Sequence, residues 1–144
     1  ATGLRRTALE LLASRCDPSP LRTMRDEEIT SERIFELARS GDVIALEAFE
    51  RTARILGMKL ADAVAHLSPE AIFLGGGLSA AGDVLLAPTK QYMNAFLFRV
   101  YRDTVKLMLS GLETKTSAVA GAAALIWSEL ESSKHVTLTR KESL

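Results

Sequence analysis

The residues best suited to chemistry form a glycine-rich turn. Gly75, Gly76 and Gly77 directly follow the apolar run Ala71–Leu74, and a second apolar run begins after Asp83. A turn from strand to helix uses glycine where φ is positive, which accounts for one or two of the three. Three in succession lose considerable backbone entropy on ordering. We therefore interpret the turn as one that a ligand or another backbone approaches closely, with a plain tight corner as the alternative.

Comparison with known glycine motifs restricts the ligands that this turn could bind. A Walker A loop is excluded, because that loop ends in Gly-Lys-Ser/Thr and here Gly82 precedes the acidic Asp83. Residues 75–80 do satisfy the relaxed dinucleotide fingerprint G-x-G-x-x-A. That fingerprint also requires an acidic residue at the end of the next strand, but the next strand candidate ends at Ser110, with Glu113 only beyond it. An NAD site therefore ranks last among the alternatives.

A run of very small side chains in the last predicted helix is the second possible ligand surface. Its members are Ala118, Ala120, Gly121, Ala122, Ala123 and Ala124. Such a run allows close packing of a helix on a sheet, and it also offers a smooth wall for a flat ring. Next to the glycine turn, the second interpretation predicts a nucleoside pocket.

Composition excludes several classes of protein. The 144 residues are 47% hydrophobic and 25% charged, which fits one globular domain. Eighteen basic and eighteen acidic residues cancel, so we expect no nucleic-acid or membrane partner held by bulk charge. A single cysteine, Cys16, forms no internal disulfide and suits the cytoplasm. We expect no metal site, because no Cys/His cluster has ligand spacing, and no apolar run reaches the roughly 18 residues of a membrane span.

Periodicity predicts an α/β layer structure whose elements position the turn. The predicted helices are Leu4–Ser14, Thr30–Arg39, Val43–Leu67, a helix from Gly82 to about Phe98, and Ser117–Leu130. The predicted strands are Ala71–Leu74 and Val105–Leu109, with a polar turn at Thr114–Thr116 between the second strand and the last helix.

Three finer expectations concern burial and helix starts. The third helix carries an apolar stripe and a second apolar set, so we expect it to be central and buried on more than one side. Without polar alternation, Ala71–Leu74 should be buried on both faces of a parallel sheet. Asp42 and Asp83 each follow glycine and precede an apolar helix, so we interpret both as N-caps.

The stretch SPEAIFLGGGLSAAGDVLLAPTKQYM resembles the ROK family of repressors, open reading frames and sugar kinases. The family pattern there is Pro-Glu-x-Ile, two hydrophobic residues, Gly-Gly-Gly, a Gly-Asp turn and hydrophobic-x-Pro. The resemblance extends through ITSERIFELARSGDVIALEAFE, which has the pattern Ala-x-x-Gly-Asp-x-x-Ala, and through LMLSGLETKTSAVAGAAAL, which has Ala-x-x-Gly-Ala-Ala. The opening ATGLRRTALELL is similar to the helix after the family's zinc loop. In all, the resemblance covers about residues 1–127, and within the family the sequence looks most like glucokinase-type members.

The resemblance implies a fold and a distribution of the functional residues between two lobes. It implies the second lobe of an actin/hexokinase-like, ribonuclease H-like ATPase fold, with a C-terminal nucleotide-binding lobe over residues 1–130 and a polar tail over 131–144. Family kinases also carry an Asp-x-Gly-Gly-Thr phosphate loop, an Asp base after Asn, a Glu-x-Gly-His segment and a cysteine-rich zinc loop. None of these occurs in this sequence. The resemblance therefore implies that the base, the Mg²⁺ and zinc sites and the hexose contacts belong to a preceding lobe.

Nucleotide contacts in this chain are implied by position. The glycines of the turn, Gly75, Gly76 and Gly77, resemble the family's turn against ATP or ADP. Gly121 and Ala122 resemble the start of the helix on the adenine side, and Thr2 and Gly3 the small turn that opens the lobe's first helix. The family also implies a homodimer. Two other functions remain open: the sugar-sensing half of a ROK repressor, and an α/β interaction module without ligand.

Overall fold

The computed structural model describes residues 2–111, 119 and 121–128, in which helices and strands alternate. In chain order these are helices α1 (Thr2–Ser14), α2 (Ser31–Arg39) and α3 (Val43–Leu67), strand β1 (Ala71–Leu74), helix α4 (Asp83–Phe96) and strand β2 (Lys106–Leu109). Residues 121–128 are helical, as predicted, whereas the turn predicted at Thr114–Thr116 lies outside the described residues. The chain divides into two compact units, Ala1–Ser110 and Gly111–Leu144, each described by itself.

The helix starts follow local capping chemistry. The Asp42 carboxylate accepts a hydrogen bond from the Ala45 backbone N–H at 2.8 Å, which confirms the predicted N-cap of α3. The corresponding prediction for Asp83 is wrong. Gly82, with a φ of 58°, occupies the cap position of α4, and Asp83 is the first helical residue. Its charge lies instead in the first turn, where it favours the positive end of the helix dipole.

Helix α3 joins two groups of buried side chains. Its first half packs with α1 and α2 through the buried side chains Leu4, Ala8, Leu11, Ile34, Leu37 and Ala38, while Leu12, on the same predicted apolar face of α1, is only partly buried. Its second half packs with the end of α4 and with β2, through Ala61, Val64, Met93, Leu97, Val105 and Leu107. The expectation of a central helix is therefore confirmed.

One face of α3 is less buried than its apolar pattern predicts. Leu46 and Leu67 belong to the predicted stripe, yet they are 43% and 76% exposed. Val43 and Ile55, from the second apolar set, are 49% and 57% exposed. The reason is geometric, since α1, α2 and α4 pack against other sides of the helix and leave these side chains outside both buried clusters.

The two strands form a parallel pair linked through α4. Ala71 is in register with Lys106 and Leu74 with Leu109. The expectation of burial on both faces is wrong for β1, because Phe73 is 64% exposed. Successive side chains of a strand point to opposite faces. Ile72 and Leu74 pack toward α3 and α4, so Phe73 points to the opposite face.

Candidate functional site

The glycine turn leaves the carboxyl end of β1. Only Gly76 has a positive φ, 85°, so it is the one position of the three where an L side chain would strain the backbone. A Cβ on Gly75 would lie 3.7 Å from the Cβ of Ser110, an ordinary contact. A Cβ on Gly77 would meet nothing within 4 Å. The chain's own geometry therefore requires glycine at Gly76 and imposes no such requirement at Gly75 or Gly77.

A cavity of about 300 Å³ lies between this turn and α2. Its lining comprises Ser31, Glu32, Phe35, Glu36, Arg39, Phe49, Gly77, Ala80 and Ala81. The Phe35 and Phe49 rings meet edge to face with their centroids 6.2 Å apart. The guanidinium carbon of Arg39 lies 5.9 Å from the centroid of the Phe35 ring. One wall is thus aromatic and cationic, while the turn contributes small residues.

Carboxylates mark the α2 side of the cavity. The pKa of Glu32 is held below its usual range, chiefly by its own backbone N–H and also by the Thr30 side chain. Glu36 forms an exposed ion pair with Arg33 at 2.7 Å. An ionised carboxylate only accepts hydrogen bonds, so these groups suit a ligand that presents N–H or O–H donors. A flat ring could lie against the Arg39 guanidinium plane.

The predicted site residues are distributed over three places. Gly77 lines the cavity, and Gly75 and Gly76 precede it in the same turn. Thr2 and Gly3 begin α1, where both are exposed and neither lines the cavity. Gly121 and Ala122 are helical and exposed in the unit Gly111–Leu144.

The contribution of α2 was missed by the sequence reasoning. Ser31, Phe35 and Arg39 are spaced four residues apart, so they share one helix face beside the buried one. That spacing identifies a face in advance. It does not tell which distant segment the face meets, because the meeting of α2 with the glycine turn depends on tertiary packing.

The part of the chain that the structure describes holds neither a metal-binding cluster nor a membrane-spanning helix. No group of three or more histidine, cysteine, aspartate or glutamate side chains gathers there as a metal site. No helix among the same residues is long and apolar enough to cross a membrane.

Comparison with known proteins identifies the family of the chain. The model of the ROK family matches residues 2–129. The chain is 32% identical over 123 residues to a glucokinase of Halalkalibacterium halodurans, covering 84% of this chain and 37% of the relative. It is 28% identical over 100 residues to the transcriptional regulator NagC of Escherichia coli, covering 69% of this chain and 24% of the regulator.

A solved structure shows the same likeness in three dimensions. A ROK family glucokinase of Streptomyces griseus, in complex with glucose and AMPPNP, superposes with a TM-score of 0.73 at 27% identity. The match covers 85% of this chain and 40% of that one. The chain thus spans less than half the length of these relatives. It belongs to the ROK family, as a glucokinase-like piece with the actin/hexokinase-like α/β architecture of that family's sugar kinases.

Proposed function

We propose that this chain is the C-terminal lobe of an ATP-dependent hexose kinase, and that it binds the nucleotide and helps to close the cleft. The observation that carries the proposal is the cavity in which Gly77 faces the Phe35 and Arg39 side of α2. Glucokinases among the relatives support the kinase class, and the S. griseus enzyme holds an ATP analogue. We place the protein in the cytoplasm, a reducing compartment that suits the single, unpaired cysteine of this chain.

The cavity fits the base of ATP or ADP. Its volume of about 300 Å³ is at the lower end of small-molecule sites, so it would take the base and not a whole nucleotide. Adenine would stack against the Arg39 guanidinium, and its amino group would donate to Glu32. The phosphates would pass the bare backbone of Gly75 and Gly76, leaving toward the other lobe. By resemblance alone, Gly121 and Ala122 would border the adenine, and Thr2 and Gly3 the cleft.

Bound ATP would supply the γ-phosphoryl group that passes to the sugar hydroxyl. The Asp base and Mg²⁺ of such a transfer would come with the preceding lobe, as would the zinc loop and the hexose contacts. The residues of this chain would hold the nucleotide in position and exclude water on its base side. The family likeness also supports pairing of this lobe with a second copy.

Two arginines on α2 allow a matched test of the base-binding role. Arg39 lines the cavity, whereas Arg33 is on the same helix, is exposed and pairs with Glu36. We expect Arg39→Ala to weaken ADP binding by about fivefold, because an exposed stacking contact of this kind contributes on the order of 1 kcal/mol. Arg33→Ala should leave the affinity within about twofold. Calorimetric titration with ADP measures both variants. Equal ADP affinities of Arg39→Ala and Arg33→Ala would contradict the placement of the base.

The isolated chain should not catalyse phosphoryl transfer. The base and the phosphate loop of the family kinases are not among its residues, so bound ATP would lack both a general base and a clamp on its terminal phosphates. In a coupled assay with ATP, Mg²⁺ and glucose, we expect turnover at the level of the protein-free control. Glucose-dependent ADP formation that rises with protein concentration would contradict this prediction.

The likeness to NagC favours a second candidate, the ligand-sensing lobe of a ROK repressor. A repressor lobe has no need to position a nucleotide. Saturable ADP binding in the cavity therefore favours the kinase, whereas an inert cavity favours the repressor or a plain α/β interaction module. Titration with NADH, followed by its fluorescence, tests the dinucleotide alternative.

A further inference from the structure

Three charged side chains line the cavity beside the glycine turn: Glu32, Glu36 and Arg39. Two of them already have a partner. The Arg39 guanidinium lies over the Phe35 ring, and the Glu36 carboxylate pairs with Arg33 at 2.7 Å. Glu32 belongs to none of the ion pairs among the residues that the structure describes. Its carboxylate is therefore the charged group of the cavity best placed to bind a ligand.

The local structure of α2 keeps Glu32 ionised. Thr30 is the N-cap of this helix, and its side chain accepts a hydrogen bond from the Arg33 backbone N–H at 3.2 Å. Glu32 lies in the first turn, where the positive end of the helix dipole favours a negative charge. Its own backbone N–H and the Thr30 side chain hold the pKa of Glu32 below its usual range. At neutral pH this carboxylate therefore only accepts hydrogen bonds.

Purine bases differ in what they offer to such an acceptor. Adenine carries an amino group at its 6-position, which donates hydrogen bonds, whereas hypoxanthine and guanine carry a carbonyl oxygen there, which only accepts. We propose that Glu32 is the residue that selects adenine over 6-oxopurines in this cavity. The inference rests on the nucleotide site proposed above, and it adds the reason why that site would prefer ADP to the diphosphates of inosine and guanosine.

A 6-oxopurine would place its carbonyl oxygen against the Glu32 carboxylate, so two acceptors would face each other without a proton between them. Its N1–H donor lies next to that oxygen, but reaching it would require the ring to slide within a cavity of about 300 Å³. Such a shift would also move the ring off the Arg39 guanidinium. A 6-oxopurine therefore loses either the hydrogen bond or the stacking contact.

The other described side chains of the cavity do not distinguish the two kinds of base. Stacking on a guanidinium or an aromatic ring tolerates every base, because each base has a π-face. The Ser31 hydroxyl both donates and accepts hydrogen bonds, so it suits either edge. Ala80 and Ala81 have no polar side-chain atom. Among these side chains, selectivity at the 6-position therefore depends on Glu32.

Titration calorimetry of the whole chain with ADP and IDP tests this assignment, because the two nucleotides differ only at the 6-position and at N1. We expect the unmodified chain to bind ADP about tenfold more tightly than IDP, since repulsion replaces one hydrogen bond to a charged group. In Glu32→Gln the neutral amide presents both a donor and an acceptor. ADP binding should therefore weaken, IDP binding should strengthen, and the two affinities should agree within about threefold.

Glu36→Gln is the matched control. It removes the charge of the other carboxylate that lines the cavity, which is paired with Arg33, and it should leave the ratio of the ADP and IDP affinities unchanged. A residue that only supports the fold would change both affinities alike, so the ratio reports on recognition of the base. Circular dichroism verifies that both variants retain their helices.

The outcomes separate this inference from the proposed function. Saturable ADP binding that is no tighter than IDP binding would overturn the inference and leave the nucleotide-binding lobe intact. The same holds for an ADP preference that persists in folded Glu32→Gln. Absence of saturable binding for both nucleotides would contradict the nucleotide-binding lobe and this inference together.

Discussion

Replacing Gly57 by alanine is expected to lower the free energy of unfolding by about 2 kcal/mol, although alanine is the better helix former. Gly57 is buried in the middle of α3, where that helix crosses α4. An added Cβ would lie 2.7 Å from the backbone nitrogen of Met93, 2.7 Å from the Cβ of Tyr92 and 2.8 Å from the carbonyl oxygen of Thr89. Two of these are backbone atoms, so the two helices would have to separate.

Gly3→Ala is the control, because we expect it to change the free energy of unfolding in the opposite direction. It is helical and exposed in α1, its φ is not positive, and an added Cβ would meet nothing within 4 Å. Gly3→Ala should therefore raise the free energy of unfolding by about 0.5 kcal/mol through helix propensity alone. Urea denaturation followed by circular dichroism measures both. Gly57→Ala as stable as the unmodified chain would contradict the close helix crossing.

The helix crossing also bears on function. Helix α3 precedes β1 and helix α4 follows the glycine turn, so the contact between them fixes both sides of the turn. Separating α4 from α3 would displace Gly77 and Ala81 relative to α2. We therefore expect Gly57→Ala to weaken ADP binding as well as stability.

The second large effect is expected at Gly77. Its φ is not positive and a Cβ there meets open space, so Gly77→Val should leave the free energy of unfolding within about 1 kcal/mol. The added side chain would occupy the cavity where we place the base. ADP binding should therefore weaken about a hundredfold or more, since the ligand and the isopropyl group compete for one volume.

Two further glycine substitutions make this test selective. Gly111→Val adds the same side chain at an exposed position where a Cβ meets nothing within 4 Å, and it should leave ADP binding unchanged. Gly76→Val is the less informative change, because a φ of 85° strains any β-branched residue. If Gly76→Val lost ADP binding, backbone strain and the volume of the added side chain could both be the cause. If a folded Gly77→Val chain bound ADP with unaltered affinity, the result would contradict our placement of the nucleotide at this turn.

Local patterns predicted most of the fold, and the errors in burial concern which element packs against an apolar side chain. The helix predicted over Val43–Leu67 and its Asp42 cap depend on residues near in sequence, and both agree with the structure. The exposed Leu46, Ile55 and Phe73 were predicted to be buried, because hydropathy indicates that a side chain is apolar and not whether another element reaches it. An exposed apolar face has the same sequence pattern as a core face.

The site shows the same division between local and long-range information. Three successive glycines identified the turn. In the structure, only Gly76 of the three has a positive φ, so it is the one position whose backbone conformation requires glycine. Phe35 and Arg39 were missed because their place opposite Gly77 depends on how α2 packs, which helix periodicity does not encode. The roles implied for Gly121 and Ala122 by the family resemblance stay predictions.

The most direct test of a nucleotide lobe is an ADP titration of the isotope-labelled chain, followed amide by amide in NMR spectra, with Gly77→Val in parallel. We predict saturable shifts in two groups of amides, 75–81 in the turn and 31–39 in α2, and no such shifts in the Gly77→Val spectra. A titration in which those two groups stay unmoved, or move equally in the variant, would contradict the claim that this cavity holds the nucleotide.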